Sequence, residues 1–216
     1  ALRAFVAAGG KQLVLLGAGF DCRALRLPEL ADVRVLEVDH PATQARKRSV
    51  LDQIGAHSHA TYVAWDFEGR AMEDLPDILD EAGLEVALPV FTIWEGVTMY
   101  LTEPAIDSSL RAIRAFGGPG SQLALTYFAK SRIEKPSLIT RAMAAVVATF
   151  GEPWKFGWTP EELPDYLADR GFSLMRDVAM SEAARELLPP DLAAHVANPD
   201  RRFAVAASES IAVAAS

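Results

Sequence analysis

The stretch that decides the fold is QLVLLGAGFDCRALRL, residues 12–27. It opens with a run that suits a buried strand, turns at Gly17 and Gly19, and continues into a predicted helix that begins near Arg23. Glycines at a strand-to-helix turn let the backbone approach a ligand closely. They can also serve only to make a tight turn. The stretch therefore predicts a βα unit of the nucleotide-binding type and leaves the ligand open.

Short apolar runs alternate with helical patterns along the rest of the chain, which predicts an α/β protein with a mainly parallel sheet. Predicted strands lie at residues 12–16, 33–38, 61–64, 89–94, 122–128, 172–178 and 211–214, and predicted helices at 42–54, 72–82, 104–116, 138–149 and 159–170. Residues 181–202 are predicted as helix and loop. The pattern indicates one Rossmann-like, doubly wound domain over residues 1–216, with seven strands and a helical insert after the fifth. Ligands of such sheets bind beyond the carboxyl ends of the strands, where the strand order reverses.

Composition limits the classes of protein. The 216 residues are 50% hydrophobic and contain one cysteine, Cys22, which excludes a disulfide within the chain. The net charge of −8 argues against a nucleic-acid partner, since such proteins usually present a basic face. No apolar run is long enough to predict a membrane span, and we expect a cytoplasmic protein. The chain starts at Ala1, close to the first strand, so we expect that an N-terminal segment has been lost.

The charges near the glycine turn indicate the type of ligand. A dinucleotide-binding turn requires a third glycine three residues after Gly19, where this chain has Cys22. Asp21 is a poor neighbour for a pyrophosphate, and it suits a ligand with positive charge and no phosphate. S-adenosylmethionine, with its sulfonium, ammonium, carboxylate and adenosine, is such a ligand. A nicotinamide-dependent dehydrogenase and a non-catalytic nucleotide-binding domain of the same fold are the alternatives.

Two acids, Glu37 and Asp39, end the second predicted strand. Asp39 follows Gly19 by 20 positions, the offset at which an acid holds ribose hydroxyls in nucleotide-binding βαβ units. Because alternate residues of a strand share a face, the strand pattern does not choose between Glu37 and Asp39. Both are candidate cofactor contacts.

Two further strand ends carry acids. Asp66 and Phe67 follow the third predicted strand, where a carboxylate can accept a hydrogen bond from an adenine amino group while an aromatic ring covers the base. Glu95 follows the fourth, in the stretch FTIWEGVTMYL at residues 91–101. Buried acids are rare without a partner, so Glu95 is predicted to take the ligand's ammonium group.

The segments LLGAGFDCRALRL, VLEVDHPATQARKR, AWDF, WEGVTMYL and GEPWKFGWTPEELPDYLADRGF together resemble the leucine carboxyl methyltransferase family over roughly residues 5–180. The resemblance implies the seven-stranded fold of S-adenosylmethionine-dependent methyltransferases, with the last strand antiparallel to the others. It also implies cofactor contacts at the glycine turn, Asp39, Asp66-Phe67 and Glu95. Family members have N-terminal helices that supply an Arg to the cofactor carboxylate. We expect that the segment carrying them has been lost from this sequence, so Arg23 is a candidate for that role, although it can instead pair with Asp21 or another nearby acid.

The expected reaction is in-line transfer of a methyl group to an oxygen of a small molecule or of a protein C-terminal carboxylate. An ionised carboxylate needs no general base, whereas a hydroxyl does. The sequence assigns no catalytic base, no metal site and no oligomeric state. Trp154, Phe156 and Trp158 are predicted either to cap the core or to face the acceptor. Cys22 is predicted to be a small packing residue, since it has no neighbouring histidine in sequence.

Overall fold

The computed structural model describes residues 1–67, 69–86, 88–134, 141, 153–196 and 199–209. Within these ranges the chain forms seven strands: β1 Gln12–Leu16, β2 Arg34–Asp39, β3 Thr61–Ala64, β4 Phe91–Trp94, β5 Gln122–Phe128, β6 Phe172–Ala179 and β7 Arg201–Ser208. They form one sheet of order β3-β2-β1-β4-β5-β7-β6. Neighbouring strands from β3 to β5 are parallel, and β7 runs antiparallel to both β5 and β6. The Rossmann-like, doubly wound fold and the antiparallel last strand are thereby confirmed. The strand order reverses between β1 and β4.

Helices connect and flank these strands. The described α-helices are α1 Leu2–Ala7, α2 Arg23–Arg26, α3 Pro41–Gln53, α4 Leu75–Glu81, α5 Glu103–Phe116, α6 Lys130–Glu134, α7 Leu163–Ala168, α8 Met180–Leu187 and α9 Pro190–Ala193. Short 3₁₀ turns cover Pro28–Leu30, Met72–Asp74 and Thr98–Tyr100.

The core lies on both faces of the sheet. Every residue of β1 and β4 is therefore buried, and both strands are mainly apolar instead of alternating between apolar and polar residues. The larger cluster packs α4, α5 and α7 against one face, through Leu75, Leu110 and Leu167 among others. The smaller cluster packs α1 and α2 against the other face, through Phe5 and Ala24. Because both faces of the sheet are covered, a ligand can reach it at the ends of its strands.

The seventh strand differs from the prediction. The sequence pattern places the start of the segment RRFAVAAS in the helix-and-loop region 181–202, whereas the whole segment forms β7. Its strand signal is weak because alanine, the commonest residue in it, has low β propensity. The alternation is nevertheless present, since Ala204, Ala206 and Ser208 are buried while the residues between them are half-exposed. The predicted strand at 211–214 lies outside the described residues.

The predicted helix at 159–170 is shorter than expected. Thr159 and Glu162 form reciprocal hydrogen bonds, at 3.2 Å from the Glu162 amide to the Thr159 hydroxyl and 3.1 Å from the Thr159 amide to the Glu162 carboxylate. The α-helix itself begins only at Leu163, after a turn. The prediction at 138–149 lies outside the described residues except for Arg141.

The aromatic segment that precedes this helix is mainly a packed cap. Trp158 is 2% exposed and makes edge contacts with Tyr127, Phe156 and Tyr166 at centroid distances of 5.6, 5.0 and 5.2 Å. Trp154 packs against Phe128 at 4.8 Å. The ring of Trp158 is therefore packed in the core, which favours the prediction that these aromatic residues cap the core over the prediction that they face the acceptor.

Candidate functional site

A cleft of about 600 Å³ opens at the carboxyl ends of β1 and β4, where the strand order reverses. Its volume suits a small-molecule ligand. Five of the residues predicted from the sequence line it: Gly17, Gly19, Asp21, Arg23 and Glu95. The position agrees with the rule that ligands of doubly wound sheets bind at the reversal of strand order.

The glycine turn needs both glycines for its backbone conformation. Gly17 has a φ of 71° and Gly19 a φ of 51°, in the left-handed region that side chains disfavour. A Cβ on Gly17 would lie 2.5 Å from Cγ2 of Val97, whereas a Cβ on Gly19 would meet nothing within 4 Å. Gly17 therefore allows close packing of the turn against the segment after β4, and Gly19 leaves space beside its backbone.

Asp39 is hydrogen-bonded to this turn. Its Oδ2 accepts from the Gly19 amide, and its Oδ1 accepts from the His40 amide at 2.6 Å. Asp39 is not among the residues that line the cleft, and it adjoins the cleft through Gly19. Its carboxylate thus holds two backbone amides of the protein itself, a role that the sequence did not reveal.

Arg23 lies between two acids. Its guanidinium pairs with the Asp21 carboxylate and donates to Oε2 of Glu95 at 2.6 Å, while Oδ1 of Asp21 accepts from the Arg23 amide at 2.7 Å. Burial acts to lower the pKa of Arg23, and the Glu95 hydrogen bond and the Asp21 charge outweigh it, so the pKa is raised. Arg23 thus pairs with Asp21, which is one of the two alternatives that the sequence left open, and it pairs with Glu95 as well.

Glu37 is not placed at the cleft. Its side chain is 1% exposed, and its Oε2 forms an ion pair with Nζ of Lys47, whose side chain is also buried. Burial raises the pKa of Glu37, and the hydrogen bond with Lys47 opposes this rise. Glu37 and Asp39 are two residues apart on the same strand. Only Asp39 lies at the end of the strand, where its carboxylate accepts a hydrogen bond from the glycine turn.

Asp66 and Phe67 lie one strand further from the cleft. They follow β3, whose end joins β2 where the Trp65 amide donates to the Asp39 carbonyl at 2.9 Å. Phe67 is half-buried against the larger core cluster. The Asp66 carbonyl accepts from the Arg70 amide at 3.0 Å. Neither residue is among those that line the cleft.

The structure adds cleft residues that the sequence analysis missed as site residues. Phe20, Cys22, Arg26, Gly96, Val97 and Arg201 also line the cleft. Phe20 is 52% exposed, which is unusual for a large apolar side chain. Arg201 was missed because β7 was missed. The signal for it was the Arg-Arg pair at the start of an alternating segment.

The cleft offers few groups for acid–base or metal chemistry. Among the described residues that line it there is no histidine, and the described part of the chain has no cluster of three His, Cys, Asp or Glu side chains that could hold a metal. His40 is the N-cap residue of α3, and its Nδ1 accepts from the Ala42 amide at 3.2 Å. The thiol of Cys22 contacts the Phe20 carbonyl at 3.3 Å.

Comparison with known proteins agrees with this geometry. The family model described as "Leucine carboxyl methyltransferase" matches residues 1–114, slightly more than half of the chain. The chain belongs to the leucine carboxyl methyltransferase family. The matched region contains β1, β2 and β4, and with them the glycine turn, Asp39 and Glu95.

A relative in Streptomyces coelicolor carries the name "Putative S-adenosyl-L-methionine-dependent methyltransferase". It is 35% identical over 166 residues, which cover 77% of this chain and 56% of the relative. The chain thus spans about half the length of the curated relatives that it matches.

Solved structures share the fold at low identity. A Thermobifida fusca protein titled as a "putative methyltransferase" superposes with a TM-score of 0.63 at 22% identity, covering 97% of this chain and 77% of that one. Burkholderia thailandensis 1,6-didemethyltoxoflavin-N1-methyltransferase, solved with S-adenosylhomocysteine, superposes with a TM-score of 0.56 at 15% identity, covering 96% and 76%. In the described part of this family member, no helix is both long and apolar enough to cross a membrane.

Proposed function

We propose that the protein is an S-adenosylmethionine-dependent methyltransferase and that the cleft beyond β1 and β4 is its cofactor site. The observation that carries the proposal is the arrangement of Asp21, Arg23 and Glu95, which places two carboxylates and a guanidinium together at the cleft. A ligand whose amino-acid end has an ammonium and a carboxylate can pair with both kinds of group. Family membership and the name of the Streptomyces coelicolor relative support the same cofactor.

The residues present fit the remaining parts of the cofactor. The open space beside Gly19 admits a ligand next to the turn. We assign the ribose hydroxyls to Asp39, the ammonium to Glu95 and Asp21, and the carboxylate to Arg23. Phe20, exposed at the cleft, and the more distant pair Asp66 and Phe67 are the candidates for the adenine.

Bound S-adenosylmethionine would supply a methyl group that the positive sulfonium already activates. The protein then has to orient the acceptor and exclude water, and it needs no nucleophile of its own. Cys22 has no role in this scheme, and no catalytic base is assigned. Asp21 and Glu95 place negative charge beside the cationic cofactor.

We propose an oxygen acceptor, on a small molecule or a protein C-terminus, and favour a carboxylate. Arg26 and Arg201 bring two further cations to the cleft beyond Arg23, and cations attract an anionic acceptor. A carboxylate also agrees with the lack of histidine among the described residues that line the cleft, because it is ionised at neutral pH and needs no base.

Ligand-induced thermal stabilisation tests the cofactor assignment. A ligand that binds only the folded state raises Tm. S-adenosylhomocysteine is expected to raise Tm in a concentration-dependent way. NAD is expected to leave Tm unchanged, because Cys22 replaces the third glycine of a dinucleotide-binding turn and the Asp21 carboxylate disfavours a pyrophosphate. Stabilisation by NAD and not by S-adenosylhomocysteine would instead favour the dehydrogenase alternative.

Transfer from methyl-labelled cofactor to pools of carboxylic acids and of phenols tests the acceptor. A methyl ester releases labelled methanol in mild base, and a methyl ether does not, so the two oxygen acceptors are distinguished directly. Labelling of carboxylic acids is the expected result. Cofactor binding without transfer to either pool would favour the non-catalytic alternative.

A further inference from the structure

A buried lysine joins the glycine-turn segment to the rest of the fold. Lys47 lies on α3 with its side chain 3% exposed, and its Nζ contacts two oxygens from different elements. One is Oε2 of Glu37 on β2, and the other is the backbone carbonyl oxygen of Asp21, in the segment after the turn. A single ammonium thus ties α3, β2 and the start of the cleft together.

Stability alone is a weak reason for such an arrangement. Removing two charges from water is costly, and apolar residues of similar size often replace a buried ion pair without loss of stability. The second carboxylate oxygen of Glu37, Oε1, is buried without a hydrogen-bond partner among the described residues, so the pair is not fully compensated. The contact between Lys47 and the main chain of Asp21 indicates better what the buried pair does.

Asp21 connects this lysine to the cleft. Lys47 holds the main chain of Asp21, and the side chain of the same residue accepts from the Arg23 amide and pairs with the Arg23 guanidinium. Arg23 in turn donates to Glu95 at 2.6 Å, and both residues line the cleft. A shift of the Asp21 backbone would therefore displace Asp21 and Arg23, and with Arg23 its ion pair to Glu95.

We propose that Lys47 is a positioning residue that, paired with Glu37, fixes the Asp21–Arg23 segment in the geometry that receives the amino-acid end of the cofactor. This inference rests on the proposed function. It assigns to Lys47 no contact with the cofactor, because its side chain lies beneath the segment and is almost fully buried.

The test uses a double variant, Lys47→Met with Glu37→Gln, which removes both charges and leaves no orphan ion in the core. S-adenosylhomocysteine and 5′-methylthioadenosine are titrated into it, because only the first has the amino-acid end. The expected result is a loss of affinity of about tenfold for S-adenosylhomocysteine, comparable to one charge-assisted contact, and little change for 5′-methylthioadenosine. Arg46→Met, at an exposed position on the same helix, is the matched control and is expected to change neither affinity.

A second readout needs no cofactor. Cys22, the only cysteine of the chain, follows Asp21 and is partly exposed. Freeing the segment is expected to speed the reaction of the Cys22 thiol with a disulfide reagent severalfold, under conditions where Tm shows the variant to be folded. Lys47→Arg keeps the charge and changes the reach of the side chain, so it is expected to give the same pattern at smaller size. That variant decides the question if the double variant does not fold.

Unchanged S-adenosylhomocysteine affinity and an unchanged thiol rate in these variants would overturn the inference, and so would equal losses for the two ligands. If the wild-type protein binds neither ligand, the proposed function fails, and the thiol rate alone then decides whether Lys47 holds the segment.

Discussion

The carboxylate of Asp39 accepts a hydrogen bond from the backbone amide of Gly19, so the end of β2 and the glycine turn after β1 are joined by a side chain. The same carboxylate accepts from the His40 amide at 2.6 Å. Asp39 therefore stabilises the turn whether or not a ligand is bound. In the proposed complex it also accepts from ribose, and both roles have measurable consequences.

Asp39→Ala is expected to weaken S-adenosylhomocysteine binding by about 1.5–3 kcal/mol, the contribution of a hydrogen bond to a charged group. It is also expected to lower the free energy of unfolding, because the Gly19 and His40 amides lose their acceptor. Calorimetric titration and chemical denaturation measure the two effects. 2′-Deoxyadenosylhomocysteine is the control: wild type should bind it more weakly than the ribose form, and Asp39→Ala should barely distinguish the two. A preference for ribose that survives in Asp39→Ala would remove Asp39 from the site.

Gly17→Ala is expected to destabilise the protein more than Gly19→Ala. Both substitutions put a side chain at positive φ, at a cost of about 1 kcal/mol, and only the Cβ at position 17 also meets Val97, at 2.5 Å. Adding Val97→Ala to Gly17→Ala is expected to recover the steric part of the loss and not the backbone part. Urea denaturation of the four variants, Val97→Ala included, measures this. Equal destabilisation by the two glycine substitutions would contradict the close approach of Val97.

Glu95→Gln is expected to reduce S-adenosylhomocysteine affinity roughly tenfold to a hundredfold, because it removes a charge-assisted partner of the ammonium and of Arg23. Adenosine affinity should hardly change. The neutral isostere opens no cavity, so the variant should fold. Glu73→Gln, an exposed acid away from the cleft, is the matched control. Equal losses for both ligands would mean that Glu95 maintains the shape of the cleft instead.

Asp107 makes part of the stability depend on pH. The hydrogen bond from Arg170, at 2.7 Å, and a second from the Tyr166 hydroxyl, at 2.8 Å, lower the pKa of Asp107 below its usual value. A carboxyl with a depressed folded-state pKa stabilises the fold above its unfolded pKa of about 3.9, and this stabilisation is lost as pH falls toward the folded pKa. Wild type should therefore exceed Asp107→Asn in free energy of unfolding at pH 6, and the difference should shrink toward pH 3.

The exposed Asp165→Asn, on the neighbouring α7, is the control for that titration and should change the free energy of unfolding little at either pH. A difference between wild type and Asp107→Asn that stays constant with pH would contradict the effect of Arg170 on Asp107.

The sequence predicted the parts of the fold that depend on local pattern. The strands β1 and β4 and the helix α5 were predictable because the apolar pattern within each segment is enough to identify it. β1 and β4 are buried along their whole length, and α5 is amphipathic. β7 was missed because its alanines carry little strand signal, and its pairing with β5 and β6 is decided by residues far away in sequence. With β7, the position of Arg201 at the cleft was missed as well.

The candidate site was predictable where a residue's place follows from a strand end. Four residues that follow β1 or β4 line the cleft as predicted: Gly17, Gly19, Asp21 and Glu95. Glu37 was a candidate because it shares a face of β2 with Asp39. Only the position of Lys47 on α3 reveals that Glu37 is paired in the core instead of lining the cleft. The hydrogen bond from Gly19 to Asp39 was likewise hidden, since it depends on how closely two loops approach.

A co-crystal structure with S-adenosylhomocysteine tests the central claim most directly. The account predicts the ligand at the carboxyl ends of β1 and β4, with its ribose hydroxyls within hydrogen-bond distance of Asp39 and its amino-acid end between Arg23 and Glu95. A ligand bound elsewhere, or in this cleft with its ribose away from Asp39, would contradict the account.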